Sequence, residues 1–264
     1  DKNVLMDLGI NNKKVLITGG SRGLGLALAK AFKEEGCKVI IISRNKKSCG
    51  EAIKMLGGKK KGHDFFTANL LDYKKNELLL KKILAKHKSI DIVIHNVGGG
   101  LGLKNPTDKI DNWIKSWIFN VGISIQINNF LLPLMKKKKW GRVVNISSLA
   151  SINGLPRIEP YGGSVAYSCS KNYLNMYTKT MAREYAKFNI SISAVLPGPF
   201  LSPGKHWDKL KKKNNKLFNL YVKNLNSLER FSKVEEVVPF VLLLASEKAS
   251  SAQGALLNID GGAY

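Results

Sequence analysis

Short runs rich in valine and isoleucine recur along the chain: KVLITGG (14–20), KVIIISR (38–44), DFFTANL (64–70), IDIVIHNVG (90–98), RVVNISS (142–148), ISISAVLPG (190–198) and ALLNIDGG (255–262). Near-continuous apolar runs bounded by Gly or Asn read as strands covered on both faces. Between them the apolar positions take helical spacing, as in Leu24, Ala27, Leu28, Ala31 and Phe32, or Tyr173, Leu174, Tyr177 and Met181. Strand–helix alternation of this kind predicts an α/β fold: a doubly wound parallel sheet of about seven strands with helices on both faces, three layers in all. There is no internal repeat and no linker, so one domain over residues 1–264 is expected. The long stretch without strand character, 199–228, follows directly on a strand end, where a substrate lid would sit.

Composition adds little to the fold and more to the surroundings. With 264 residues, 44% of them hydrophobic, the chain can bury one sizeable core. The longest uncharged apolar run, 237–245, is interrupted by Pro239 and falls far short of the ~20 residues a membrane span needs, so no membrane contact is expected. The first residues, DKNVLMDLG, lack the basic-then-apolar pattern of a secretory signal. Cys37, Cys49 and Cys169 are odd in number and have no metal-ligand spacing; free thiols in a reducing compartment, the cytoplasm, are expected. Charge is lopsided, 43 Lys+Arg against 19 Asp+Glu for a net +24, with lysine runs at 59–61, 136–139 and 211–213. Such a surface attracts polyanions. The runs carry no interleaved aromatics and no recognition motif, so a solvated surface is expected rather than a nucleic-acid reader.

Candidate chemistry begins at the end of the first run, Thr18-Gly19-Gly20-Ser21-Arg22-Gly23-Leu24-Gly25, which leads straight into a helix. Glycines let the backbone turn tightly and approach a pyrophosphate, and the helix start offers it unpaired N–H groups. The spacing differs from G-x-G-x-x-G and resembles the cofactor turn of the short-chain dehydrogenase/reductase family. Further landmarks resemble that family in order: Asn96-Val97-Gly98, Asn120, Asn145-Ile146-Ser147-Ser148, a Y-x-x-x-K at Tyr167 and Lys171, Pro197-Gly198, and Asp260-Gly261-Gly262. The resemblance covers nearly the whole chain and implies a Rossmann-type fold, a nicotinamide cofactor, no metal, and assembly as a dimer or tetramer. It places the cofactor on Gly19, Ser21, Arg22, Gly23, Leu24, Gly25, Ser43, Arg44, Asn45, Asn69, Leu70, Asn96, Val97, Gly98, Tyr167, Lys171, Pro197, Gly198, Phe200 and Ser202. Two positions depart from the family pattern: Asn69 stands where an Asp is common, and His95 replaces an Asn and is expected to be packed rather than catalytic.

Cofactor choice follows from charge. An NAD site places Asp or Glu on the ribose 2′-OH, whereas an NADP site needs a cation for the 2′-phosphate. The second strand ends Ser43-Arg44-Asn45 with no acid, and Arg22 lies in the glycine turn. NADP(H) is expected.

The stretch YGGSVAYSCSK (161–171) contains two tyrosines. A phenol of pKa near 10 is a poor base at neutral pH, and lowering it by ~3 units takes ~4 kcal/mol in favour of the phenolate. One ammonium at ~4 Å in an effective dielectric of ~20 supplies about that. Residues four apart share a helix face. Tyr167 has Lys171 at that spacing, whereas Tyr161 has Val165. By resemblance, Tyr167 is then the proton donor or acceptor, Lys171 also holds the nicotinamide ribose, Ser148 polarises the substrate oxygen, and Asn120 completes a catalytic tetrad. The family's serine-to-tyrosine spacing would land on Tyr161. Keeping Tyr167 therefore implies about six inserted residues within 150–165, since doubling a loop costs only ~0.6 kcal/mol in closure entropy. Tyr161, Arg157 and Glu159 become candidate pocket-wall residues.

The lid stretch interleaves Lys205, His206, Lys209, Lys211, Lys212 and Lys213 with Trp207, Leu217, Phe218 and Tyr221, which suits either an ordinary amphipathic helix or a cover over an anionic substrate. The run 136–139 is a candidate dock for an acidic acyl carrier protein. The expected function is an NADPH-dependent oxidoreductase of a small-molecule carbonyl or secondary alcohol, with a 3-oxoacyl thioester the nearest family analogy. The alternatives are a reductase of a polar or anionic nucleotide sugar and, more remotely, a non-catalytic NADP-binding or nucleic-acid-associated protein.

Overall fold

The computed structural model describes residues 6–103, 105–154, 164–202 and 206–263. All seven predicted runs become strands of one parallel sheet: β1 (Lys14–Thr18), β2 (Lys38–Ser43), β3 (Asp64–Thr67), β4 (Ile92–His95), β5 (Gly141–Ile146), β6 (Ile190–Pro197) and, after two short strands described below, β9 (Leu256–Ile259). Their order is β3-β2-β1-β4-β5-β6-β9. The chain winds outward from β1 to β3, then returns to lay β4 on the other side of β1. That reversal opens a crevice beyond the carboxyl ends of β1 and β4, where open parallel sheets bind ligands.

Alternation sends successive strand residues to opposite faces. Val15 and Ile17 join one core with Val39 and Ile41, packed beneath α1 (Gly23–Glu34), α2 (Lys46–Met55) and α10 (Val234–Leu244). Leu16, Ile40 and Ile42 join the other, beneath α3 (Tyr73–His87), α5 (Ile123–Lys138) and α7 (Val165–Tyr185). Arg142, 1% exposed, is the largest fully buried side chain. It donates to the carbonyls of Gly141, Asn189 and Ser246, tying the start of β5 to the segments that flank it.

Two expectations change. Helix α4 (Ile110–Trp117) continues through a π-helical turn, Ile118–Gly122, into α5, giving a helix of 29 residues that is long and apolar enough to cross a membrane. Half of its most apolar window is buried inside the protein, as in a core helix. Its scattered Asn and Gln residues hide it from a scan for unbroken apolar runs. The stretch 199–228 also carries more structure than expected. It opens with a two-residue strand, β7 (Phe200–Leu201), and continues into α8 (His206–Lys213) and α9 (Asn215–Leu225). β7 pairs with β8 (Ser232–Lys233), so the segment leaves and rejoins the body side by side. Leu210, Phe218, Tyr221, Val222, Leu225 and Phe231 give it a core of its own.

Candidate active site

A cavity of about 770 Å³ lies at the carboxyl ends of the strands, within the size range of small-molecule and cofactor sites. At one end it meets the turn between β1 and α1. Gly19 and Gly23 take φ of +69° and +56°, the left-handed region that favours glycine. A Cβ on Gly25 would stand 2.4 Å from the Gly19 carbonyl oxygen, so the turn closes only around glycine. Arg22 at the N-cap of α1 makes no side-chain cap hydrogen bond, and the first turn holds no acid. The helix therefore presents uncapped N–H groups and its positive dipole end where an anion would sit. These features fit the pyrophosphate of a dinucleotide.

Of the expected cofactor residues, Gly19, Arg22, Leu24, Gly25, Ser43, Arg44, Asn69 and Leu70 line this part of the cavity. Asn96, Val97 and Gly98 line its centre, with Pro197, Gly198, Phe200 and Ser202. Ser21, Gly23 and Asn45 are not among the lining residues. Ser21 is buried and bonds the Ser43 hydroxyl at 2.8 Å, and Asn45 caps α2 by accepting from Ser48 N at 2.9 Å. Thr18, the first residue of the glycine turn and not among the expected cofactor residues, joins the two strands at the crevice. Its Oγ1 accepts from the main-chain nitrogens of Asn96 and Val97 at 2.9 and 3.1 Å.

The four candidate catalytic residues converge deeper in. Tyr167 and Lys171 share the cavity face of α7, which starts at a Ser164 cap accepting from Tyr167 N. Lys171, 3% exposed, donates from Nζ to the Ile146 carbonyl at 2.7 Å. Burial pulls its pKa down to about 7. A Cβ on Gly98 would lie 2.9 Å from Lys171 Nζ and 2.8 Å from Asn120 Oδ1, so glycine there keeps the lysine's place open. Asn120 sits in the π-helical turn and does not line the cavity. Its Oδ1 accepts from Gly99 N at 2.8 Å and its Nδ2 donates to Gly99 O at 3.1 Å, which fixes the loop after β4.

Both serines follow the end of β5 and border the cavity, but their hydroxyls part. Ser147 is buried and donates to Asn175 Oδ1 at 2.6 Å, against α7. Ser148 faces the cavity and hydrogen-bonds Tyr167. The phenol itself differs from expectation. Burial raises the Tyr167 pKa and the Ser148 hydrogen bond opposes that rise only in part. Lys171 Nζ stands 5.9 Å from the Tyr167 ring centroid and spends one N–H on the Ile146 carbonyl, so it acts on the phenol through its charge.

His95 is packed, as expected: 2% exposed, bonded through Nε2 to Asn128 Oδ1 at 2.8 Å, with its pKa pushed down to about 4 chiefly by burial. Asn128 in turn donates to Tyr177 OH at 3.2 Å.

The far end of the cavity is walled by Leu101, Leu103, Phe119, Trp207, Tyr221 and Leu225, most of them apolar. Trp207 and Tyr221 were legible only as part of an apolar stripe, and Leu101, Leu103 and Phe119 gave no signal at all. Lys209, Lys211, Lys212 and Lys213 are exposed and do not line the cavity, so the cover is not basic on its inner side among the described residues. Arg157, Glu159 and Tyr161 lie outside the described residues; the flanks of that segment, Gly154 and Ser164, do line the cavity. The run Lys136–Lys139 precedes β5, at the opposite end of the sheet. Six residues of β5 at about 3.3 Å each put it roughly 20 Å from Ser148, so it does not border this cavity.

A crevice of this kind, glycine turn included, defines a dinucleotide-binding α/β protein with a Tyr–Lys pair in its floor. The model of the short chain dehydrogenase family matches residues 13–213. The 3-oxoacyl-[acyl-carrier-protein] reductase FabG of Thermotoga maritima is 30% identical over 255 residues, covering 96% of this chain and 98% of its own. The FabG of Buchnera aphidicola is 31% identical over 261 residues, covering 97% and 99%. Among solved structures, L-sorbose reductase from Gluconobacter frateurii, complexed with NADPH and L-sorbose, superposes with a TM-score of 0.86 at 26% identity, over 98% of both chains. The chain belongs to the short-chain dehydrogenase/reductase family and is an oxidoreductase.

Proposed function

We propose that this protein is an NADP(H)-dependent reductase of a small ketone, with 3-oxoacyl thioesters as the substrate class, working as one unit in which α8 and α9 cover the substrate. The observation that carries the reading is the meeting of Ser148, Tyr167 and Lys171 on one wall of a cavity whose other end holds Arg22 and Arg44. A bound nicotinamide dinucleotide supplies the hydride.

The residues divide the remaining work. Ser148 donates to the substrate oxygen and keeps it beside the Tyr167 hydroxyl. Tyr167 gives that oxygen a proton as negative charge develops there. The nearby Lys171 ammonium offsets the phenolate left behind, and a cationic nicotinamide after hydride transfer adds to the same effect. Asn120 keeps the Gly99 loop in place against the reacting centre. Arg22 and Arg44 provide the charge that a 2′-phosphate needs. The apolar wall of Phe119, Trp207 and Leu225 suits an acyl chain better than a charged sugar. L-sorbose reductase, bound to an uncharged sugar, keeps a polyol substrate as the second reading. Three free cysteines, two of them buried, support a reducing compartment such as the cytoplasm.

The test is a panel of 3-oxoacyl thioesters, simple ketones, ketoses and nucleotide sugars, followed by nicotinamide absorbance with NADPH and with NADH. Turnover of thioesters with NADPH, abolished in Tyr167→Phe and retained in Tyr161→Phe, is expected. Turnover only of sugars would move the substrate to the second reading, and an active Tyr167→Phe would remove the catalytic assignment.

A further inference from the structure

The lysine runs, scattered along the sequence, come together in space. Because every strand of the sheet runs toward the cavity, the segments that enter the strands gather at the other end. Lys59–Lys61 form a short turn before β3, Lys86 and Lys88 close α3 before β4, Lys136–Lys139 stand before β5, and Lys187 precedes β6. All of these lysines are exposed. The face is continuous: Lys59 and Lys86 pair with Asp64, Lys14 Nζ reaches the carbonyl of His87, Lys138 pairs with Asp91, and Gly141 N donates to Asn189 O beside Lys187.

Two acids of this face are already neutralised. The Asp64 and Asp91 side chains are 4% and 11% exposed beneath their lysines. Glu34, Glu35, Glu184 and Glu247, the last beside Arg142 at the start of β5, remain as counter-charge at its margins. Aromatic rings lie under the ammonium groups, with Lys13 over Trp140 at 4.0 Å, Lys136 over Phe188 at 4.4 Å and Lys59 over Phe65 at 4.9 Å. These rings are half-buried, whereas the exposed aromatics among the described residues, Tyr73, Trp117, Tyr173 and Phe240, lie on the helices away from this face. Helix dipoles favour cations in a last turn, but the effect dies within that turn and does not account for Lys59–Lys61, on a three-residue turn.

We propose that this face binds the phosphate backbone of nucleic acid without sequence preference, independently of the reductase site. Six strand starts about 4.8 Å apart span roughly 24 Å, the length of about seven phosphates of one strand at 3.4 Å each. With charge at the surface and no exposed ring at its centre, the face lacks what base stacking or lipid insertion needs, and it is suited to regularly spaced anions. The cavity opens at the opposite end and stays free.

The test uses the full chain and fluorescence anisotropy with a labelled single-stranded RNA and a DNA duplex, each of about 20 units, over a salt series. Binding is expected, with log K falling against log salt at a slope of about −3 to −5 for four to seven phosphates on the single strand. Lys60, Lys61, Lys88, Lys137 and Lys139, all changed to Gln, should weaken binding at least ~10-fold with an unchanged melting temperature. The same change at Lys209, Lys211, Lys213, Lys216 and Lys223, which removes equal charge from α8 and α9, should not. Equal loss in both variants would assign the effect to net charge and overturn the proposal. So would a salt slope near zero, no binding at ~0.1 M salt, or binding to anionic vesicles but to neither nucleic acid.

Discussion

Lys171 is held at the carbonyl of Ile146, 2.7 Å from its Nζ, and no carboxylate among the described residues shares the ammonium. The bond anchors the second turn of α7 to the end of β5, two residues before Ser148. The same burial that places the lysine makes its charge costly.

Lys171→Met should therefore be inactive and more heat-stable. Below about pH 7 the lysine is charged in both folded and unfolded states, and its burial lowers stability by the full amount. That cost fades as pH rises from about 7 toward the ordinary value of 10.5. The variant's melting temperature should exceed that of wild type near neutral pH, by about 2–4 °C for each ~1 kcal/mol recovered, with the gap closing at alkaline pH. Turnover should fall ~100-fold or more. A variant that melts below wild type at neutral pH would show that the Ile146 bond outweighs the buried charge.

The neighbouring serines should separate function from stability. Ser148→Ala is expected to cut kcat by ~100-fold with little change in melting temperature. Ser147→Ala strips Asn175 Oδ1 of its donor and should cost about 1–3 kcal/mol of stability with kcat largely intact. Denaturant melts beside steady-state kinetics make the comparison.

Arg44→Ala should raise the dissociation constant for NADPH by about 10–100-fold, or roughly 1.4–2.8 kcal/mol, and leave that for NADH nearly unchanged. Titration of intrinsic fluorescence with each cofactor reads this directly. Equal weakening of both would mean that Arg44 supports the fold rather than a 2′-phosphate.

His95 gives the protein an acid-side sensitivity. Its folded pKa of about 4 lies below the ordinary 6.5, so the unfolded chain binds a proton that the folded one refuses, and stability falls as pH drops from 6.5 to 4. At about 1.36 kcal/mol per unit the ceiling is about 3 kcal/mol. His95→Asn should flatten that slope. His63, also lowered by burial, keeps its share in both proteins, and the depressed Asp64 acts at lower pH.

Much of this molecule is legible in the chain because its signals are local. Val39 to Ile42 alternate between two buried faces and so read as a continuous apolar run. Tyr167 and Lys171 are four apart on one helix, and Gly25 stands where no Cβ fits. What escapes depends on neighbours distant in sequence. Trp207 and Leu225 reach the cavity from a segment folded back by the β7–β8 pairing, and Phe119 reaches it from a π-helical turn between two helices. The raised Tyr167 pKa could not be read from spacing, since its cause is burial, which the packing of the whole fold decides. The lysine runs looked like separate surface features until the strand directions put them at one end.

The β7–β8 pairing also bears on how such a protein changes over evolutionary time. A segment that exits and re-enters the body at one point, around its own cluster of Phe218, Tyr221, Leu225 and Phe231, can be exchanged or resized without disturbing sheet, glycine turn or tyrosine. Substrate choice and hydride chemistry are thus inherited as separable parts, and a graft of this single segment from a relative is the natural unit for transferring one without the other.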